Sequence, residues 1–279
     1  MDFSVFLAVL VAAACHAGWN ALVKGSGDRL VTAGFVAIAS GLVSLCLLPI
    51  VGLPSVASMP WAVASAFVHL LYFVCLIEAY NHGDLGQVYP LARGSAPLMT
   101  AVVSSLFIEQ ISTAAWAGLL LLACGILLLA LPGRSAGTKF NGRAVGFALA
   151  TAVTICVYSI TDGLGARVSG NPNGFTLVLF INCAVIVPVY VFARKGRAAL
   201  NFSGQWRTGL PGGILQVFSY GIAIWAMTIA PIAIVAALRE TSVLFGAAIA
   251  VTILKEPASA GRISAAAVIV AGLVVLKVL

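Results

Sequence analysis

Ten apolar stretches follow one another along the 279-residue chain, at about 3–24, 30–52, 60–81, 85–107, 112–131, 142–164, 173–194, 207–230, 232–254 and 258–278. A helix needs roughly 20 consecutive apolar residues to cross the hydrocarbon core of a bilayer. In lipid every backbone amide must find its partner within the protein, so such runs form helices or barrel strands. Their length and their lack of period-two alternation select helices. The chain is therefore expected to be an all-α integral membrane protein with ten transmembrane helices. The breaks carry turn chemistry: Gly25-Ser26-Gly27-Asp28, Gly52-Leu53-Pro54, His82-Gly83-Asp84 and Gly170-Asn171-Pro172-Asn173.

Composition removes the main alternatives. Only 8% of residues are charged and 62% are hydrophobic, with a mean hydropathy of +1.11. A soluble domain needs about 25% charged residues to meet water, so a soluble enzyme, a nucleic-acid binder and a disordered chain are excluded. The net charge of +7 sits mostly between the apolar runs, where Lys and Arg orient membrane helices. Lys24, Arg29, Arg134, Lys139, Arg143, Arg194, Lys195, Arg197, Arg207, Lys255 and Arg262 follow spans 1, 5, 7 and 9, against Arg167 and Lys277 on the other side. The positive-inside rule then puts both termini outside a plasma (inner) membrane that the chain crosses many times. The start, Met1-Asp2-Phe3, lacks the basic region of a cleavable signal, so the first run is expected to be retained as a helix. Cys15, Cys46, Cys75, Cys124, Cys156 and Cys183 all lie within apolar runs without paired spacing, as small packing residues do.

The polar stretch Pro132 to Arg143 divides the chain into five spans and five. The halves, 1–133 and 134–279, match weakly in register. Glu109-Gln110-Ile111-Ser112 resembles Glu256-Pro257-Ala258-Ser259, and Gly125-Ile126-Leu127 resembles Gly272-Leu273-Val274 at the same offset; Arg93 aligns with Arg239 after one residue of slippage. An odd number of spans per half inverts the second copy. Inverted repeats are a hallmark of secondary transporters, whose substrate site lies near the midplane.

Charge inside the hydrocarbon is costly and marks function by default. Arg93 and Arg239 stand about eight residues into their spans, roughly 12 Å deep at 1.5 Å per residue. In span 4, Tyr89, Arg93, Pro97, Thr100 and Ser104 form one polar stripe, and Pro90 and Pro97 flanking Gly94 are expected to kink the helix or open its hydrogen-bond ladder. In span 9 Glu240 follows Arg239 directly. Neighbours on a helix point about 100° apart, so each should meet a different helix, and Glu240 is a candidate partner for Arg93 or a proton-coupling carboxyl. In span 1, His16, Asn20 and Lys24 recur every four residues with Trp19 beside them; span 6 offers Thr151, Thr154, Tyr158, Thr161 and Asp162; span 3 offers His69, Tyr72 and Tyr80; span 8 offers Gln216, Ser219 and Tyr220. Candidate solute contacts are thus His16, Trp19, Asn20, Tyr72, Tyr89, Arg93, Tyr158, Gln216, Tyr220 and Arg239, with Asp162 and Glu240 as coupling or ion-pairing carboxyls. The competing readings are structural: Arg93 as a clamp on neighbouring carbonyls, His16 bonding a nearby backbone, and Glu109 and Glu256 as loop holders. Trp61, Trp116 and Trp206 read as interface anchors. Spans 5 and 10 are nearly pure apolar with small residues four apart (Ala114/Gly118, Gly261/Ala265), which suits helix packing and a possible homodimer face.

No catalytic motif, nucleotide-binding loop or paired-cysteine motif occurs, and His16, His69 and His82 share no metal-ligand spacing. No enzyme activity and no cofactor are implied.

The span count, the stretch His16-Ala17-Gly18-Trp19-Asn20 with Lys24, the Glu-x-x-Ser echo, and Gly83-Asp84-Leu85-Gly86-Gln87-Val88-Tyr89-Pro90-Leu91-Ala92-Arg93-Gly94 together resemble the EamA-type branch of the drug/metabolite transporter superfamily over essentially the whole chain. The resemblance implies a permease working by alternating access. Such relatives export amino acids and related metabolites, or move sugar phosphates, nucleotide sugars or cationic drugs. It also implies cytoplasmic termini, opposite to the charge count. The small cationic-drug members use a glutamate in their first helix, and span 1 here has none. The two arginines point instead to a small anionic or zwitterionic solute, such as an amino acid derivative, as partner beside the lipid bilayer. A flippase for a lipid-linked intermediate is the alternative, and an integral-membrane enzyme a more distant one.

Overall fold

The computed structural model describes residues 1–24, 26, 28–83, 85–129, 141–200, 205–252 and 259–278. Turn residues Gly25, Gly27 and Asp84, linker residues 132–140 with Arg134 and Lys139, and Lys255 with Glu256-Pro257-Ala258 lie outside these, as do the side chains of Lys24 and Arg29. Every apolar run is helical where described, and no strand occurs among the described residues. The helices are α1 (Phe3–Lys24), α2 (Arg29–Val51), α3 (Met59–His82), α4 (Leu85–Phe107), α5 (Thr113–Leu128), α6 (Gly142–Ser169), α7 (Pro172–Lys195), α8 (Trp206–Ile229), α9 (Ile232–Glu240), α10 (Ser242–Thr252) and α11 (Ala260–Val278).

Eight helical stretches are long and apolar enough to cross a membrane, with α9 and the start of α10 counted as one, Ile232–Ile249. The chain is thus an all-α, multi-pass membrane protein. The other two expected spans are helical but fall short of that measure. The α5 helix has only 16 described residues, and α4 carries Arg93 and two internal prolines. Outward side chains such as Leu42, Leu45, Phe67, Phe218 and Val274 are exposed, as lipid contact requires.

Local chemistry sets the helix ends. Asp28 accepts hydrogen bonds from the N–H groups of Leu30 and Val31 and so caps α2. Asn171 caps α7, with Pro172 in the first turn where its missing N–H costs nothing. The hydroxyl of Ser112 caps α5 and that of Ser259 caps α11.

The chain forms two compact units, and each draws on both halves of the sequence. One unit holds residues 1–7, 71–160 and 230–279, and the other holds 8–70 and 161–229. The first contains α4, α5, α9, α10 and α11. Here α5 packs along α11 and against α4, and α4 packs on α9. A Cβ on Gly272 of α11 would come within 2.7 Å of the Leu122 backbone nitrogen in α5, so the backbones touch only because the residue is glycine. Lipid supplies no hydrophobic drive between helices, and close packing of this kind replaces it. Gly118 and Ala265 are buried, and Gly118 lies against Leu276 of α11. That part of the small-residue stripe is used inside the chain rather than offered to a second copy.

The other unit contains most of α1 together with α2, α7 and α8. Its tightest pair is α2 on α7, where a Cβ on Gly41 would meet the Ala184 methyl carbon at 2.2 Å. The α3 and α6 helices are divided between the units, at Leu70/Leu71 and Ile160/Thr161.

Candidate functional site

Within the first unit, α4, α6 and α9 bring two guanidinium groups and a carboxylate together out of water. Arg93 is 2% exposed, Arg239 0% and Glu240 1%. Nη1 of Arg93 donates to Oε2 of Glu240 at 2.7 Å, a buried ion pair. Arg239 points its Nη2 to the hydroxyl of Tyr158 at 2.9 Å and lies 3.6 Å from Oε1 of Glu240. Aromatic rings line the cluster. The Arg93 guanidinium sits 5.2 Å from the ring centre of Tyr89, Arg239 sits 5.3 Å from that of Tyr158, and Tyr72 meets Tyr158 edge-on at 5.9 Å. Such ring faces favour cations. Glu240 meets α4 while Arg239 meets α6, as their 100° separation requires, and the reach of both side chains still lets them approach each other.

Two backbone features lie beside the cluster. The α4 helix runs unbroken from Leu85 to Phe107 through Pro90 and Pro97, although Pro97 carries no N–H to give to the carbonyl of Arg93. Span 9 is interrupted. Thr241 separates α9 from α10, its N–H bonds to the Leu238 carbonyl, and Leu244 N–H bonds to the Thr241 carbonyl. These three-residue closures replace the four-residue ladder next to Arg239 and Glu240. The Thr241 hydroxyl also donates back to the Leu238 carbonyl at 2.6 Å, a side-chain bond that competes with helix geometry.

The second unit holds another buried polar group. Asp162 of α6 is 0% exposed and accepts a hydrogen bond from the hydroxyl of Tyr220 in α8. The Tyr220 ring lies edge-on to His69 of α3 at 5.5 Å and to Phe180 of α7 at 5.9 Å. His69 Nδ1 bonds the Ser65 carbonyl at 3.0 Å. The same Nδ1 lies 3.1 Å from the Ser65 hydroxyl, so Ser65 holds the ring from both its backbone and its side chain. One turn before Tyr220, the buried side-chain oxygen Oε1 of Gln216 has no hydrogen-bond partner among the described residues. Ser219 donates to the carbonyl of Ala12 and so ties α8 to α1.

The span 1 stripe is largely self-satisfied. Trp19 Nε1 donates to Nδ1 of His16 at 3.3 Å, and the Asn20 amide donates to the His16 carbonyl at 2.8 Å. In span 6, the Thr151 and Thr154 hydroxyls bond back to Phe147 and Thr151 carbonyls. Glu109 accepts from the Ser104 hydroxyl at 3.0 Å, close to where α4 ends. The structure thus gathers Tyr72, Tyr89, Arg93, Tyr158, Arg239 and Glu240 in one unit. It places His16, Trp19, Asn20, Asp162, Gln216 and Tyr220 in the other. His69, beside Tyr220, belongs with the second group although sequence spacing alone gave it no partner. Among the described residues, no three His, Cys, Asp or Glu side chains gather as a metal site.

No protein-family model matches the chain, and no curated protein matches it. Among solved structures, 28 chains match. One of them, known only as "Crystal structure of protein", aligns with a TM-score of 0.78 over 98% of this chain and 95% of its own length, at 18% sequence identity. Likeness at that identity establishes a shared fold and carries no activity with it.

Proposed function

We propose that the chain is a secondary transporter of the inner membrane. It moves a small anionic or zwitterionic metabolite by alternating access, and the solute's acidic group is held by the arginine cluster. One observation carries the reading: two guanidinium groups, Arg93 and Arg239, are fully buried beside Tyr72, Tyr89 and Tyr158 in a membrane protein. Charge at that depth is expensive and is kept for a solute path or a structural pair. Arg93 has its structural pair in Glu240. Arg239 also lies 3.6 Å from Glu240, a longer approach than that of Arg93, and is the residue assigned to the solute, with the Tyr158 hydroxyl orienting its planar donor fork. A guanidinium presents paired N–H donors that suit a carboxylate or phosphate-like group.

The five-plus-five repeat underlies the mechanism. Under that repeat α2 corresponds to α7 and α5 to α11, and each of these pairs packs within a single unit. Ser112 and Ser259, the serines of the Glu-x-x-Ser echo, cap corresponding helices. Arg93 and Arg239, the matched arginines, lie in one unit on either side of Glu240. The family resemblance to EamA-type permeases points the same way, as does a helix interrupted beside the charged residues, a device of transporter binding sites.

The test is uptake into vesicles reconstituted with the purified protein, using labelled amino acids, dicarboxylates and sugar phosphates against lipophilic cations. Uptake of an acidic solute that disappears in Arg239→Gln supports the proposal. Uptake of cations alone, or an Arg239→Gln protein that assembles normally and transports acidic solute at the wild-type rate, overturns it.

A further inference from the structure

We infer that the groove between α2 and α7 is a site for one anionic phospholipid, with an acyl chain between the helices and the phosphate at Lys195 and Arg197. Helical spacing builds the groove. Val31, Phe35 and Ile38 line it from one face of α2, and Pro188, Val191 and Phe192 line it from one face of α7. Gly34 lies at its floor, where a Cβ would stand 3.3 Å from Cγ2 of Val191. Every lining side chain is apolar, so the groove suits hydrocarbon rather than a polar solute. Phe192 is half exposed, and Val185 and Val189 on the same side of α7 are exposed, so the groove opens toward lipid.

The same spacing places charge at one end. Asp28 stands three residues before Val31 and Lys195 three after Phe192, and Lys195 Nζ donates to Asp28 Oδ2 at 2.8 Å. At Gly196 the backbone turns with φ +55°, a value that favours glycine, and the short 3₁₀ helix Gly196–Leu200 brings Ala199 to the groove. Arg194, Lys195 and Arg197 are exposed there. Thr32 Oγ1 lies 2.9 Å from Oε1 of Gln205, which holds the start of α8 at the same level. Next to it the Arg207 guanidinium sits 5.5 Å from the ring centre of the exposed Trp206. Tryptophan so placed marks the headgroup level of a bilayer.

Charge selects the headgroup. Residues 8–70 and 161–229, which make up this unit, contain only two acidic residues, Asp28 and the fully buried Asp162. The polar end of the groove thus sets Arg194, Lys195, Arg197 and Arg207 against Asp28 alone. A zwitterionic lipid would bring its own cation into this field, whereas an anionic one complements it. An ammonium carries more than one N–H donor, so Lys195 can hold Asp28 and a phosphate together, and Arg197 adds charge-assisted donors beside it.

Lipid binding is independent of the solute proposed above. The experiment is native mass spectrometry of the full chain, released from detergent micelles after titration with phosphatidylglycerol or with phosphatidylcholine of the same acyl chains. The wild type should retain one phosphatidylglycerol where phosphatidylcholine is lost. Apparent affinity should fall at least about fivefold in Lys195→Met and in Arg197→Gln. Arg143→Gln, which removes an exposed arginine of the other unit, should bind as the wild type does. Ala199→Trp should abolish the preference by filling the groove with every charge kept. Glycerophosphoglycerol, the same headgroup without chains, should not displace the lipid, which tests the groove without any variant. Equal retention of both lipids overturns the inference, as does wild-type affinity in Lys195→Met and Arg197→Gln, or an equal loss in Arg143→Gln. Preference kept in a folded Ala199→Trp protein, or displacement by the chainless headgroup, overturns it too.

Discussion

Arg93 of α4 and Glu240 of α9 form an ion pair at 2.7 Å with both side chains almost completely out of water. The pair joins two helices 147 residues apart in sequence. Removing either partner leaves the other charge buried, which costs about 3–5 kcal/mol in comparable sites. Arg93→Leu and Glu240→Leu alone are each expected to lower the thermal midpoint sharply. The double variant should recover the part of the loss that belongs to Arg93 with Glu240, while Arg239, 3.6 Å from Glu240, still loses its carboxylate as in Glu240→Leu alone. A double-mutant cycle on the purified protein checks this; additive losses would mean that the two residues do not act as a pair.

Arg239 gives a hydrogen bond to Tyr158 at 2.9 Å. A hydrogen bond to a charged group contributes roughly 1.5–3 kcal/mol. Tyr158→Phe keeps the ring beneath the guanidinium but removes its acceptor. The arginine then loses its fixed orientation rather than its charge. Under the proposed function, apparent affinity for an acidic solute should fall by about tenfold or more, with assembly and maximal rate less affected. Arg239→Lys should be far worse than Tyr158→Phe, because an ammonium lacks the planar fork. Equal affinity in Tyr158→Phe and wild type would count against this role.

Much of this was legible in the chain, and the illegible parts have a physical pattern. Rare charged letters in an apolar sequence stand out, so Arg93, Arg239 and Glu240 could be named, and the 100° rule sent Arg239 and Glu240 to different helices. Helix limits followed from turn residues that act locally, such as Asp28, Gly52 and Asn171. Periodicity reports which residues share a face, but not whether a polar group is already satisfied on its own helix. Asn20, for example, gives one amide N–H to the His16 carbonyl on its own helix, a bond its spacing did not announce. It also does not report which helix comes next, so His69 and Tyr220 could not be joined. The helix α4 continues through its two prolines, whereas an interruption that spacing did not announce lies at Thr241, whose hydroxyl bonds back to Leu238. The adjacent Thr241-Ser242 pair was the available signal.

Gly272 permits the backbone of α11 to touch that of α5, and a Cβ there would stand 2.7 Å from Leu122 N and 2.9 Å from the Gly118 carbonyl. Neither contact is with a flexible side-chain end, so the helices must separate to admit a larger residue. Gly272→Val is expected to cost at least about 1–3 kcal/mol, the range for overpacking. Gly146, with nothing within 4 Å of its added Cβ, is the matched control, and Gly146→Ala should be stable. Melting of the two variants in one detergent checks the contrast.

Asp28 lies outside the spans, where acid can reach it. Its carboxyl is held below its ordinary range chiefly by the hydrogen bond from Lys195, with further lowering from the Val31 and Leu30 amides, against a smaller opposing effect of burial. A carboxyl depressed in the folded state stabilises that state above its unfolded value, about 3.9. The contribution fades as pH falls through the folded value. Acidification should therefore loosen the start of α2 and its tie to the end of α7. Asp28→Asn keeps a capping oxygen but removes the charge, so its stability should depend less on pH across that acidic window. Asp28→Ala should in addition lose about 0.5–2 kcal/mol at neutral pH, the value of a cap. The exposed ion pair with Lys195 adds at most about 1 kcal/mol, so Lys195→Met should be the mildest of the three at neutral pH. Melting curves at neutral and acidic pH separate these contributions, and an unchanged acid response in Asp28→Asn would assign it to another carboxyl.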